Sequence, residues 1–417
     1  MSLFFKECRN ILKTYIYYIF IVVAVLFYIS QMGITTSEDL KTLLSPPPKI
    51  DMETHYAPYG EKESIPSKEM IPKTVDNLYR EYKENSYVAY PLGFYKIVKL
   101  DDSETKKIEL FLEEITGKTI EELNLLWENT NSASLPVSED ITLERFKELM
   151  ASIDKLLGGG SAYGEDFIGR FTRIPVTYEE AVEEHEYMIQ NDKLTNGYAR
   201  LFCDYMGIVM GIFPIFVVVF TSIKDRRSKM EELVYFRETS SLKLGLSRYF
   251  SLVFMMMLPI IILGIKETIT FMSFAKSENL SIDLFAFVKY IVWWILPTLM
   301  IVTAIGMFLT TLTDTPMAIA VELFIWFFSI NNIQLTGDYP LLGLFIRHNN
   351  RGKGMLIVEN FSKIMTNRLV IAGLALLIVI VTVFIYEQKR RGKLDIRRKM
   401  GKWFSFNKNK SKVKYTS

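Results

Sequence analysis

The sequence predicts a mostly α-helical membrane protein, with six transmembrane helices and a mainly helical extracytoplasmic domain inserted between spans 1 and 2. Three observations lead there. Six stretches lack charge, or nearly lack it, over the roughly 17–25 residues that a helix needs to cross hydrocarbon. Between the first and second of them, residues 33–199 hold no segment that could span. Lysine and arginine gather in three separate places although the net charge is only +2, so the distribution carries more information than the sum.

Residues 1–13 mix Leu3, Phe4, Phe5, Ile11 and Leu12 with Lys6, Arg9 and Lys13. On a helix this is an amphipathic segment suited to the inner headgroup layer; a frayed cytoplasmic terminus is the plainer alternative. Span 1, residues 14–32, is uncharged and apolar from Ile16 to Ile29. A cleaved signal peptide competes with it. The apolar run is long for that role, and Tyr28 to Met32 offers no small-x-small cleavage site. It therefore reads as an uncleaved anchor.

The domain of residues 33–199 opens on a Pro-rich extended stretch, Pro46-Pro47-Pro48 through Pro58, Pro66 and Pro72. Helical patterns begin near Thr74, Ser103, Thr142 and Thr177, and Tyr87 to Pro91 is strand-like or an extended connector. Acidic residues outnumber basic ones in this interval. Gly158-Gly159-Gly160-Ser161 lacks the lysine of a phosphate loop and reads as a turn, and no GxxxxGK[ST] motif occurs elsewhere. His55, His185 and His348 lack metal-ligand spacing, and the acidic run 179–186 reads as a solvated helix face. Cys8 and Cys203 fall on opposite sides of the predicted membrane and cannot pair. No catalytic, cofactor-binding or metal residue is expected.

Five more spans follow within residues 200–386, at about 205–223, 249–270, 290–313, 316–333 and 369–386. The basic segments are the N-terminus, the loop after the second span (Lys224, Arg226, Arg227, Lys229, Arg237, Lys243, Arg248) and the tail of residues 387–417. An even number of spans puts all three on one side, and the positive-inside rule makes that side cytoplasmic. The tail, with Trp403, Phe404 and Phe406 among its lysines, reads as a polybasic segment on anionic inner-leaflet lipid rather than a nucleic-acid site. Charges inside spans are functional candidates. Glu322 lies within the fifth span, and Lys266 and Glu267 interrupt the outer part of the third and can pair locally. For each, a structural role and a transport role stay open.

The cytoplasmic loop 224–248 is longer than a turn between spans requires. Glu231, Glu232 and Leu233 lead through Arg237 to a polar break at Ser240-Ser241, and then to Arg248-Tyr249 at the third span. Short apolar faces with charged neighbours suit a helix that docks on a partner; a loop lying on lipid phosphates is the alternative. These residues, with the order of one span, an outer domain and five spans, resemble the membrane subunit of type 2 ABC export permeases. The resemblance covers about half the chain, and the large outer domain departs from much of that family. It implies that the segment around Glu231, Glu232, Arg237, Ser240 and Arg248 is a coupling helix contacting a separate ABC ATPase, which binds ATP. It also implies that the apolar stretch 341–346 belongs to short re-entrant helices forming an outer gate; a surface amphipathic segment is the alternative.

The function expected is export of a lipid, peptide or drug-like substrate across the cytoplasmic membrane, by a homodimer or heterodimer of permeases with two ATPases. A receptor or scaffold whose outer domain binds an envelope ligand is the competing class. An intramembrane enzyme finds no His-Glu-x-x-His or Gly-x-Ser-x-Gly motif in its favour.

Overall fold

The computed structural model describes residues 3–33, 36–51, 57–63, 68–91, 94–130, 135–165, 168–227, 239–331, 337 and 339–393. It is mostly helical. In chain order the elements are α1 (Leu3–Leu12), α2 (Tyr15–Met32), α3 (Ser37–Leu44), β1 (Glu61–Glu63), α4 (Met70–Glu84), β2 (Tyr87–Ala89), β3 (Lys96–Val98), α5 (Asp102–Thr116), α6 (Ile120–Thr130) and α7 (Leu143–Leu156). There follow β4 (Arg173–Pro175), α8 (Tyr178–Gln190), α9 (Thr195–Met210), α10 (Pro214–Arg227), α11 (Ser241–Glu278), α12 (Ala286–Thr313), α13 (Met317–Asn331), α14 (Gly354–Glu359) and α15 (Phe361–Arg390). The chain divides into two compact units, Pro47–Glu183 and the remainder.

In the larger unit, five helical segments are long and apolar enough to cross a membrane: α2, α9 with α10, α11, α12 and α15, with mean hydropathy from 1.9 to 3.0. Span 1 shows why it forms a helix in lipid. Tyr17, Phe20, Ala24 and Tyr28 recur every three or four residues and are buried, while Tyr18, Ile19, Val22, Leu26 and Ile29 on the other side are exposed. So wide an apolar face is stable only against lipid or another apolar partner. α15 repeats the pattern, burying Ile371, Ala375 and Val379 and exposing Leu374, Leu377, Ile380 and Phe384. At the N-terminus, α1 buries Glu7, Cys8 and Ile11, and Phe4 meets Phe254 of α11 edge to face at 5.8 Å.

The fifth predicted span, 316–333, is a shorter helix. α13 has 15 residues, about 22 Å of rise, against a hydrocarbon core of about 30 Å. Residues 332–336 lie outside the described residues. The third span is longer than predicted, because the helical pattern seen at Leu242 runs unbroken into it. α11 is one helix of 38 residues, about 57 Å long, capped by Ser240 Oγ, which accepts from Lys243 N. The second span is broken where Pro214 removes an N–H between α9 and α10.

The other unit is narrower than the expected 33–199. Residues 36–46 and 184–199 pack with the bundle, since Leu40, Met188 and Leu194 lie in its core and His185 Nε2 donates to Leu43 O at 2.9 Å. Within Pro47–Glu183, α4, α5, α6 and α7 enclose one apolar core. Its contributors keep helical spacing: Ile71, Val75 and Leu78; Ile108, Leu112 and Ile115; Phe146, Leu149 and Ile153. Thr142 caps α7, its hydroxyl accepting from Arg145 N at 3.2 Å, and Asp101 and Glu104 form a capping box on α5. β1 pairs antiparallel with β4 and β2 with β3, which makes Tyr87–Ala89 the expected strand. α6 carried no helix signal in the sequence reading. It buries Leu123 on that same core.

Two features inside this core are polar. Tyr163 OH donates to Glu81 and accepts from Asn77 Nδ2 at 3.0 Å; burial, then the neighbouring carboxylate, hold the phenol well above its ordinary pKa. Burial likewise raises the carboxyl of Glu81. The other feature is the glycine turn. Gly160 has φ +72°, and a Cβ there would lie 2.5 Å from Tyr90 O, whose own N–H bonds Gly160 O at 2.8 Å. Gly160→Ala therefore meets a left-handed backbone and a backbone clash together. We expect it to lower the stability of this unit by about 2–4 kcal/mol, read as an earlier chemical-unfolding midpoint; Gly159→Ala, with open space around it, gives the smaller loss of a left-handed alanine alone.

Candidate functional site

Buried polar side chains of the larger unit gather in three places. At one end of the bundle they hold residues 339–353. This segment is not helical: it runs through turns, with Leu344, Phe345 and Ile346 buried. The helices that the family resemblance implied for 341–346 are absent, and only the short α14 follows at Gly354–Glu359. Irregular backbone inside a membrane bundle needs every carbonyl answered by protein. Asn367 and Arg368 of α15 supply those donors. Asn367 Nδ2 reaches Pro340 O at 2.6 Å, Leu341 O at 3.0 Å and Gly343 O at 3.2 Å. The Arg368 guanidinium donates to Gly343 O at 2.7 Å, Trp294 O at 3.0 Å, Thr298 Oγ1 at 3.0 Å and Leu344 O at 3.4 Å. Trp294 lies in a π turn, Ile291–Ile295, just before Pro297. A proline there cannot donate to the carbonyl four residues back, and the wider turn takes up that misfit.

One ion pair and one bond from a guanidinium to a backbone carbonyl fasten the rest of the segment to α9. Arg347 donates to Asp204 at 2.7 and 3.4 Å, and His348 N adds a third bond to the same carboxylate at 2.8 Å. Arg200 holds Asp192 at 2.8 and 2.5 Å and also reaches Arg351 O at 3.2 Å. A Cβ on Gly197 would stand 2.4 Å from Arg351 O, so the backbone can approach α9 only at a glycine. His348 Nε2 donates to Gly352 O at 3.1 Å, leaving Nδ1 to accept from Tyr339 OH at 3.4 Å. Burial, and then the charge of Arg200, push its pKa down to about 4, so the ring is neutral.

Around the start of α11 and the ends of α12 and α15 lies a second set of polar contacts. Ser241 Oγ donates to the Glu387 carboxylate, and Arg390 donates to Thr239 O at 2.8 Å. Lys389 pairs with Asp314 at 2.8 Å. Arg248 meets Glu7 of α1 at 3.5 Å, beside a cleft of about 140 Å³ also lined by Asn10, Thr221 and Ser251. Of the residues predicted to couple to a partner, Ser240 and Arg248 thus sit at the base of α11. Glu231, Glu232 and Arg237 lie outside the described residues.

The third place is within the spans. Lys266 and Glu267 do pair, Nζ to Oε1 at 2.8 Å, although adjacent helix residues normally point apart. Tyr28 of α2 closes the group: its hydroxyl donates to Glu267 and accepts from Lys266 Nζ at 2.9 Å. Glu267 is fully buried while Lys266 is about half exposed, its stem reaching outward as such side chains do in lipid. Glu322 of α13 is also fully buried, and neither of its oxygens has a hydrogen-bond partner among the described residues.

Asp204 and Arg368 stand just before the predicted spans 205–223 and 369–386, and Arg200 and Arg347 lie outside them. A charge at a span end is ordinary. What gives these four their role is partners up to 151 positions away. Comparison with protein-family models, curated proteins and solved structures gives no match.

Proposed function

We propose that the chain is the transmembrane permease subunit of an ATP-binding-cassette exporter, with ATP hydrolysed by a separate subunit that docks on residues 224–248. In this reading α13 is the sixth membrane helix, both termini face the cytoplasm, and the unit Pro47–Glu183 lies outside the cell membrane. The single observation that carries it is α11. Its 38 residues begin at the loop, and their first turn is tied to α15 through Ser241 and Glu387. A push on the loop is therefore delivered to two spans at once, and a continuous helix transmits it through the bundle. The clamped segment 339–353 would then be the closed outward end of the pathway, released when α9 and α15 part. The cargo class is a lipid, peptide or drug-like molecule, moved by two permeases and two ATPases.

The test is recovery of the full-length chain from its native membrane in mild detergent. An ABC ATPase should copurify in a near-equal amount, and Glu232→Lys or Arg237→Glu should reduce that recovery severalfold while the amount of folded permease stays constant. Recovery of folded permease with no ATPase under several gentle detergents would rule the reading out in favour of a receptor or scaffold.

A further inference from the structure

α13 buries Ala318 and Glu322, and the half-buried Trp326 continues the same face, at i, i+4 and i+8. Trp326 fixes its register. Nε1 donates to Ile208 O at 3.0 Å, and a Cβ on Gly211 would lie 3.1 Å from the indole, so this end of α13 stands at the end of α9. Directions follow from two further contacts. Asp283 N donates to Thr195 Oγ1 at 3.0 Å and Lys289 Nζ to Asn196 Oδ1 at 2.6 Å, so α9 and α12 begin at the same end and run parallel. α13 returns from α12 after a short turn and runs against both. One turn back along α13, about 6 Å from Trp326, brings Glu322 to the break between α9 and α10.

That break exposes backbone. Pro214 has no N–H for Met210 O, and Ile215 N bonds Ile212 O at 3.3 Å, so the carbonyls of Met210 and Gly211 stand outside the helical ladder. α12 contributes a hydroxyl at the same level. Gly306 packs on Ile215 and Val218, and one turn before it the buried Thr303 Oγ1 has no partner among the described residues. Among the described residues, the helices packed at this level bring no cation to it. α10 has no charged residue from Pro214 to Ile223, and α12 has none from Leu296 to Thr313. α9 carries Arg200, Cys203, Asp204 and Tyr205, all about a turn or more before Ile208; Arg200 holds Asp192, and Asp204 is held by Arg347. Asp314 is held by Lys389 at the far end.

We propose that Glu322 is a proton-binding site within the bundle, occupied in the arrangement described here and emptied when the α13 face opens to water. A carboxylate here would be desolvated without a counter-charge, at a cost well above that of the neutral acid. The neutral acid fits the surroundings better: its O–H can be given to a carbonyl freed by Pro214, a bond that a carboxylate, which only accepts, cannot make. Opening lets water take the proton, leaving the carboxylate solvated, and closure requires a proton to return. Helix breaks that bare carbonyls at mid-membrane are where transporters bind coupling ions.

The inference does not depend on an ATPase partner, and infrared difference spectroscopy on hydrogen–deuterium exchange tests it directly. The full-length protein in lipid nanodiscs at neutral pH should show one protonated-carboxyl band that Glu322→Gln removes, and adding sodium should leave the band unchanged. Glu322→Asp keeps an acid on a shorter side chain and should move the band without abolishing it, which guards against a Gln variant that fails to fold. A spectrum unchanged by Glu322→Gln in folded protein would overturn the proposal. A band that sodium abolishes would do so as well, by making the site one for a metal cation.

Discussion

Arg368→Met is expected to leave little folded protein in the membrane, with a loss of stability on the order of 5 kcal/mol. The guanidinium is 2% exposed and is the shared donor for Gly343 O, Leu344 O, Trp294 O and Thr298 Oγ1. Methionine matches the stem but leaves those acceptors facing an apolar cavity, at roughly 1–3 kcal/mol for each that finds no substitute. Relief of the buried charge returns part of that cost, because a cation of this burial carries a desolvation penalty of its own. Arg368→Lys keeps the charge and loses the planar fork, so it should fall between the two. The measurement is thermal unfolding of a fluorescently tagged full-length chain, followed by size-exclusion chromatography in mild detergent. A Met variant within about 1 kcal/mol of the parent would mean that water answers these carbonyls and that the segment is not sealed.

Asp204→Ala is expected to cost about 3–5 kcal/mol, the range for stripping one partner from a buried ion pair. It leaves Arg347 charged and buried, and it leaves His348 N without its acceptor. The informative experiment is the double-mutant cycle with Arg347→Met. With both charges gone the apolar pair needs no counter-ion, so the double variant should be more stable than Asp204→Ala alone. Additive losses would show that the two side chains act independently and that the pair is not the latch joining α9 to the segment.

The membrane character, the helix starting near Thr142 and the strand-like stretch at Tyr87 were legible in the sequence. Each depends on residues within a turn or two of one another, where periodicity and capping chemistry act. Glu322 and the Lys266–Glu267 pair were legible as exceptions, since a charge in an apolar run is conspicuous whatever surrounds it. Their circumstances were not. Tyr28 joins the pair from 238 residues away, and nothing near Glu322 in sequence announces that it lacks a partner.

By itself, then, the sequence determined which segments are apolar enough to leave water and where helices start, because those depend on composition and local hydrogen bonding. Only the tertiary structure decided that residues 339–353 are held by Asn367, Arg368, Asp204 and Arg200, that α13 is a short helix, and that the buried Glu322 oxygens meet no partner among the described residues. Those outcomes turn on whether a buried polar atom meets a partner. In hydrocarbon, where water cannot substitute, that is a matter of ångströms between distant parts of the chain.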